Sequence, residues 1–207
     1  MNEEQIRIFN EQGIPIGIKT RDEVHKKGCW HETFHCWFVE QTAAGSFIFM
    51  QQRCHAKKDF PDLYDITAAG HIKADETVSD AIREIHEELG APVQMEELQP
   101  LGVIRDEIVQ GDFIDRERCH VFLCVNHYKM NAFTLQKEEV AGIYKAAYPD
   151  FAALVQGVKQ ELELAGFDES NGARVWQKRT VDRKQCVPHS PNYYIRLIDK
   201  LAQLPLF

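Results

Sequence analysis

The amino-acid sequence predicts a mixed α/β domain in which helices pack on a sheet. Two observations carry that prediction. Segments with strand character come first, one stretch of helical period follows, and further strands and then helices complete the order, which suits helices laid on a sheet. The composition is globular, 44% hydrophobic and 27% charged over 207 residues, with enough apolar material for a core. No internal repeat or low-complexity linker divides the chain, so residues 1–207 are read as one domain.

In chain order, Ile6-Arg7-Ile8-Phe9 alternates as a strand, Glu11-Gln12-Gly13 is a turn, and Ile14 to Ile18 is a short second strand. Together they predict an N-terminal β-hairpin over 5–19. Thr20 is placed to cap a helix that ends near Gly28. Phe34 to Val39 and Phe47 to Met50 form a second hairpin around the loop Gln41–Ser46. A strand falls within Leu63–Ile72, a helix over about 77–90, and strands over Leu101–Val109 and Cys119–Val125. Phe151–Val158 is read as a helix, and so is a C-terminal extension over about 190–204, where Ile195, Leu197, Ile198 and Leu201 supply an apolar stripe.

Charge narrows the function. Lysine and arginine total 24 against 32 acids, a net charge of −8, which excludes a generic nucleic-acid binder because phosphate neutralisation needs a cationic surplus. No run of 18 apolar residues predicts a membrane span, and Met1 to Gln5 lacks the basic and apolar regions of a secretory signal. The six cysteines (29, 36, 54, 119, 124 and 186) form no C-x-x-C pair. They are expected to be reduced thiols in a cytoplasmic protein.

The acids concentrate. From Asp75 to Ala91 there are six acids and one base, Arg83, a local net of −5. On a helical wheel Val78, Ile82, Ile85 and Leu89 form one stripe, while Glu84, Glu87 and Glu88 crowd another face beside Asp80. A solvated acidic face is the ordinary reading of such a run. A hard divalent cation with oxygen ligands is the other.

The surrounding pattern favours the cation. Gly70, Glu76, Arg83, Glu84, Ile85, Glu87, Glu88 and Gly90 resemble the Nudix box, G-x5-E-x7-R-E-U-x-E-E-x-G-U, with U a bulky aliphatic residue. Two departures stand out. Only six residues separate Glu76 from Arg83, so ungapped counting places Asp75 and Ala69 at the glutamate and glycine positions, and Ala91 replaces the last bulky residue. The resemblance implies a Nudix fold, an α/β/α sandwich around a mixed sheet. It implies Mg2+, or Mn2+, held by Glu84, Glu87 and Glu88, with Arg83 ordering the carboxylates, and cleavage of a phosphoanhydride.

A second stretch, Gln52 to His71, QRCHAKKDFPDLYDITAAGH, resembles isopentenyl-diphosphate isomerase, itself a Nudix-fold enzyme. That likeness implies diphosphate binding by Arg53 and Lys57, with Gly70 at the substrate. It also implies a histidine-rich metal site at His25, His31, His71, Asp115 and Glu117, a donor set suited to a transition metal. His35, His55 and His86 have no such support and are read as structural. The isomerase's catalytic cysteine position is Ala69 here, and a methyl group cannot move a proton.

The leading expectation is therefore a divalent-metal-dependent pyrophosphohydrolase acting on a small phosphorylated substrate, with no nucleic-acid or membrane partner and with a homodimer left open. The alternatives are an isomerase-like enzyme and a non-catalytic nucleotide-sensing module. Glu138 and Glu139, before Gly142, are weak additional metal candidates for which a surface position is favoured, and the basic run Arg174–Lys184 is read as a solvated loop.

Overall fold

The computed structural model describes residues 4–169 and 172–204. Its eleven strands belong to one connected sheet, built around the thirteen-residue strand β3, Trp30–Thr42. The N-terminal hairpin is β1, Gln5–Phe9, and β2, Pro15–Thr20. Helix α1, Arg21–Lys27, starts where the Thr20 hydroxyl accepts from the Glu23 amide and stops at Gly28 in the left-handed region. β4, Gly45–Arg53, completes the second hairpin with β3, and the short strands β5, Tyr64–Ile66, and β6, Ala68–His71, follow.

β7, Leu98–Gln110, and β8, Phe113–Val125, form a long hairpin. β8 runs parallel to β3, pairing Trp30 to Val39 with Arg116 to Val125. β9, Val140–Ala147, β10, Glu161–Asp168, and β11, Val175–Asp182, extend the sheet beyond β4 in the order β4-β9-β10-β11. Helices α2, Arg83–Leu89, α3, Tyr148–Val155, and α4, Pro191–Leu201, complete the element set.

Two-residue alternation makes the layers. Along β3, Phe34, Cys36 and Phe38 face one core, where Ala81, Ile85 and Leu89 of the α2 region pack. Trp37 and Val39 face the other, where Phe151 and Leu154 of α3 meet Tyr193, Leu197 and Leu201 of α4. Helices therefore cover both faces, which is the α/β/α arrangement.

Three expectations change. The carboxylate helix begins at Arg83, after a 3-10 turn over Asp80–Ile82. Thr77 and Asp80 hydrogen-bond each other's backbone amides and side chains, and this reciprocal cap sets the late start. The basic run Arg174–Lys184 is largely the edge strand β11, its Arg179 paired with Asp168 across the ladder. β9 and β10 go unanticipated by the sequence reading, although Glu161-Leu162-Glu163-Leu164 alternates exposed and buried as a half-buried strand does.

β9 and β10 approach closely at glycine. A Cβ on Gly166 would overlap the Ile143 carbonyl oxygen and the Tyr144 Cα, both main chain and unable to give way. Gly166→Ala should cost about 2–3 kcal/mol in urea unfolding. A loss below ~0.5 kcal/mol, the range of an ordinary surface change, would contradict this packing.

Candidate active site

A polar cavity of about 260 Å³ opens between α2, the N-terminal end of β3 and the start of β8. Strand pairing assembles it. Thr33 of β3 lies opposite His71 on β6 and opposite Cys119 on β8, and His31 lies opposite Glu117. Alternation then puts 31, 33 and 35 on one face of β3, and 115 and 117 on one face of β8.

On the first wall Arg83 ties the loop to the helix. Its guanidinium donates to Glu76 (Nε to Oε1 2.6 Å, Nη2 to Oε2 3.0 Å), to the His71 carbonyl oxygen (3.1 Å) and to Glu87 (3.1 Å), and pairs with Glu84 at 2.6 Å. Glu76, not Asp75, thus fills the acidic position of the loop. Gly70 lies beneath Glu84, where a Cβ would meet the carboxylate and displace it. Glu88 is 4% exposed and accepts from the Ala69 amide (3.1 Å) and Gln51 (3.3 Å).

Burial, and then the neighbouring Glu84, push the Glu88 carboxyl well above the usual carboxylate range. Burial also raises Glu84, with Arg83 pulling the other way and Glu87 adding to the rise. Lys57 and Glu139 pair with each other at the cavity rim. Glu139 therefore joins the site, while Glu138 is exposed.

The second wall gathers His25, His31 and His71, whose ligand atoms lie within 4.8 Å of one another, as do those of His31, Asp115 and Glu117. Asp115 Oδ1 lies 3.6 Å from His25 Nε2 and 3.4 Å from His31 Nε2. All three atoms are buried without a hydrogen-bond partner. Each such orphan costs about 1–3 kcal/mol, and a cation among them would satisfy all three.

Burial, then His71 and His31, lower His25 to about 3; burial, then His71, lowers His31 to about 4. Both imidazoles are neutral at physiological pH, the form that ligates metal. Burial beside Glu117 pushes Asp115 well up. Burial works against ionisation of Glu117 too, but the hydrogen bond and charge of His35 hold it well below the usual range.

The anticipated site residues line one cavity except His31, which is buried against Asp115 and beside His25 and His71, and the side chains serve each other as well as a ligand. Arg53 donates to the carbonyl oxygens of Asp59 (2.9 Å) and Phe60 (3.1 Å) and to Asp65 (2.9 Å). These bonds hold Phe60 at φ 52°, a conformation that costs a bulky residue about 1–3 kcal/mol.

The sequence reading missed four groups. Arg21 lines the cavity and pairs with Asp59 at 2.8 Å. His35 lies on the floor, 3.3 Å from Glu117, and its two-residue step from Thr33 was the available signal. His189 and Asp65 also line the floor, and nothing in the local sequence marks them. His55 bonds Asp62 at the surface and His86 bonds the Val93 carbonyl oxygen, both outside the cavity lining.

The NUDIX domain model matches residues 30–163. The chain is 37% identical over 195 residues to an uncharacterised Nudix hydrolase of Clostridium acetobutylicum, covering 94% of this chain and 95% of that protein. It is 30% identical over 155 residues to an isopentenyl-diphosphate Delta-isomerase of Saccharopolyspora erythraea, covering 73% of this chain and 76% of the isomerase. A crystal structure from Deinococcus radiodurans superposes with a TM-score of 0.57 at 16% identity, over 74% of this chain and 90% of that one, and shares the fold. No helix among the described residues is long and apolar enough to cross a membrane.

His189 provides a test in solution. It sits between Asp65 and Asp106; burial opposes its charge, but these two hydrogen-bonded carboxylates raise it from 6.5 to about 10. A raised histidine contributes stability that is complete below its unfolded pKa near 6.5 and is lost as pH climbs through 10. The thermal midpoint should fall across that window, and His189→Gln should flatten the slope. Equal slopes in both proteins would show that His189 is not held charged.

Proposed function

The chain belongs to the Nudix family and stands with its hydrolases of pyrophosphate bonds, and from that premise we propose a divalent-metal-dependent enzyme that cleaves a small, diphosphate-linked substrate in this cavity. The observation that carries the reading is one cavity lined by the three glutamates of α2 on one side and by a gathered histidine and carboxylate cluster on the other. Glu84, Glu87 and Glu88 would hold Mg2+ or Mn2+; His25, His31, His71, Asp115 and Glu117 would hold a second ion of softer preference. Two features support this: the histidine set gathers its ligand atoms within 4.8 Å and leaves three atoms of the second wall without partners, and burial raises Glu84 and Glu88 despite the charges of Arg83 and Lys57. A divalent ion held by these residues would offset the charge of the pyrophosphate and lower the pKa of a bound water, so that hydroxide is available near neutral pH.

The protein's own groups supply the rest. Arg53, Lys57 and Arg21 present three cations to the cavity, a fork–point–fork set suited to the oxygens of a diphosphate. Arg83 fixes the spacing of Glu84 and Glu87 through direct bonds, so neither carboxylate reorganises when substrate enters. A carboxylate of α2 left unligated would accept the proton of the attacking water, while Glu88 is held in place by the Ala69 amide.

The isomerase scaffold is present without its acid. Ala69 lines the cavity where a thiol is needed, and no cysteine lines it among the described residues. Hydrolysis needs no proton donated to carbon, so this position is free to be a methyl group.

Glu87→Gln and Glu88→Gln should each lower magnesium-dependent phosphate release by about 100-fold or more with the fold intact. The assay is a panel of nucleoside diphosphate conjugates, nucleotide sugars, dinucleotide polyphosphates and prenyl diphosphates. Isopentenyl diphosphate should give no dimethylallyl isomer. Unchanged turnover in both variants, or binding of a panel member without turnover by the wild type, would sink the hydrolase reading.

A further inference from the structure

The cavity floor is reached by a segment outside the family match. After β11 the chain turns back under the site: Cys186 bridges to Tyr64, the Val187 amide donates to the Tyr64 carbonyl oxygen, and His189 enters the cavity wall just before α4. The family model ends at residue 163, so His189 lies beyond the segment that it covers.

His189 closes a chain of alternating charge. Arg53 Nη1 donates to Asp65 Oδ2 at 2.9 Å. Asp65 Oδ1 accepts from His189 Nε2 at 3.0 Å and from the Ile66 amide at 2.8 Å. His189 Nδ1 lies 2.6 Å from Asp106 Oδ2, and Asp106 Oδ1 accepts from the Ser190 amide at 2.9 Å. Asp65, Asp106 and His189 are 4%, 2% and 6% exposed, and the ring of His189 stacks on Tyr193 at 4.9 Å. Both ring nitrogens are engaged by carboxylates, so His189 has no donor left for a ligand.

We propose that His189 is a positioning residue for Arg53, acting through Asp65 to aim and to free the guanidinium charge toward a bound diphosphate. Two effects follow from the chain. A carboxylate held by two partners at fixed lone pairs cannot swing, so the arginine it grips cannot swing either. A carboxylate shared with a second cation also cancels less of the arginine's field in the cavity, where the dielectric is low and charge acts strongly. The second effect separates His189 from a purely structural brace.

The inference rests on the reading that Arg53 holds the diphosphate, and the experiment separates the two. Calorimetry with imidodiphosphate, which resists hydrolysis, and magnesium measures affinity without turnover. Arg53→Met and His189→Gln should each weaken binding about 10-fold, and the double variant should be no weaker than Arg53→Met alone, because neighbours in one network are not additive. Loss on Arg53→Met without loss on His189→Gln, or a His189→Gln loss that persists undiminished in the Arg53→Met background, overturns the positioning role alone. No loss on Arg53→Met, or no binding by the wild type, overturns the Arg53 assignment and this inference together.

Asp106→Asn reaches the same histidine from the other side and should act in the same direction; it serves where thermal melting shows that His189→Gln is unfolded. In the wild type alone, nitrogen-15 NMR should show the Arg53 guanidinium protons protected from exchange. A freely rotating, rapidly exchanging guanidinium would overturn the proposal without any variant.

Discussion

Arg83 is the constraint on which the site depends. One guanidinium bonds two oxygens of Glu76, the His71 carbonyl oxygen, and carboxylates of Glu84 and Glu87. It therefore joins the loop before α2 to the helix itself and sets the positions of two glutamates at once. Burial costs this cation, but bonding to Glu76, Glu84 and Glu87 outweighs that cost and raises its pKa beyond its already high value. Without it, three glutamates on one seven-residue helix would repel across a face where burial already penalises charge. The arginine offsets part of that repulsion and leaves a residual demand for positive charge at Glu84 and Glu88, which is the physical basis of the proposed cation site.

The second wall repeats the logic with different donors. His25 and His31 are neutral because burial and then the neighbouring His71 disfavour their charge, and Asp115 points an unpaired oxygen between them. An acidic cluster and an imidazole cluster facing one small cavity belong to a scaffold shared with isopentenyl-diphosphate isomerases, yet Ala69 removes the acid that isomerisation requires. With alanine at this position, the carboxylate and imidazole groups, Arg53 and Lys57 still surround the cavity.

Much of this was legible in sequence because it is local. The helix face with its three glutamates follows from a 3.6-residue period, and the hairpins follow from short loops between alternating runs. Glu76 was ambiguous with Asp75, because a loop one residue short can be registered in two ways and only the Arg83 bonds decide. His35 was legible in part, since it shares a strand face with His31. His189 was not, because its meaning depends on Asp65 and Asp106, 124 and 83 residues away in the chain. Small residues in β9 and basic residues in β11 mask the alternation, while β10 alternates visibly over Glu161 to Leu164; packing of Leu162, Leu164 and Val181 in the core with Tyr64 and the α3 residues Phe151 and Leu154 supplies the order that the local pattern understates.

A manganese-soaked crystal examined by anomalous diffraction bears most directly on the cation sites. Peaks are expected beside Glu84, Glu87 and Glu88 and among His25, His31 and His71, with Arg83 still bonded to Glu76. Occupancy at neither cluster would contradict the view that these buried, like-charged and unpaired groups are arranged to receive metal.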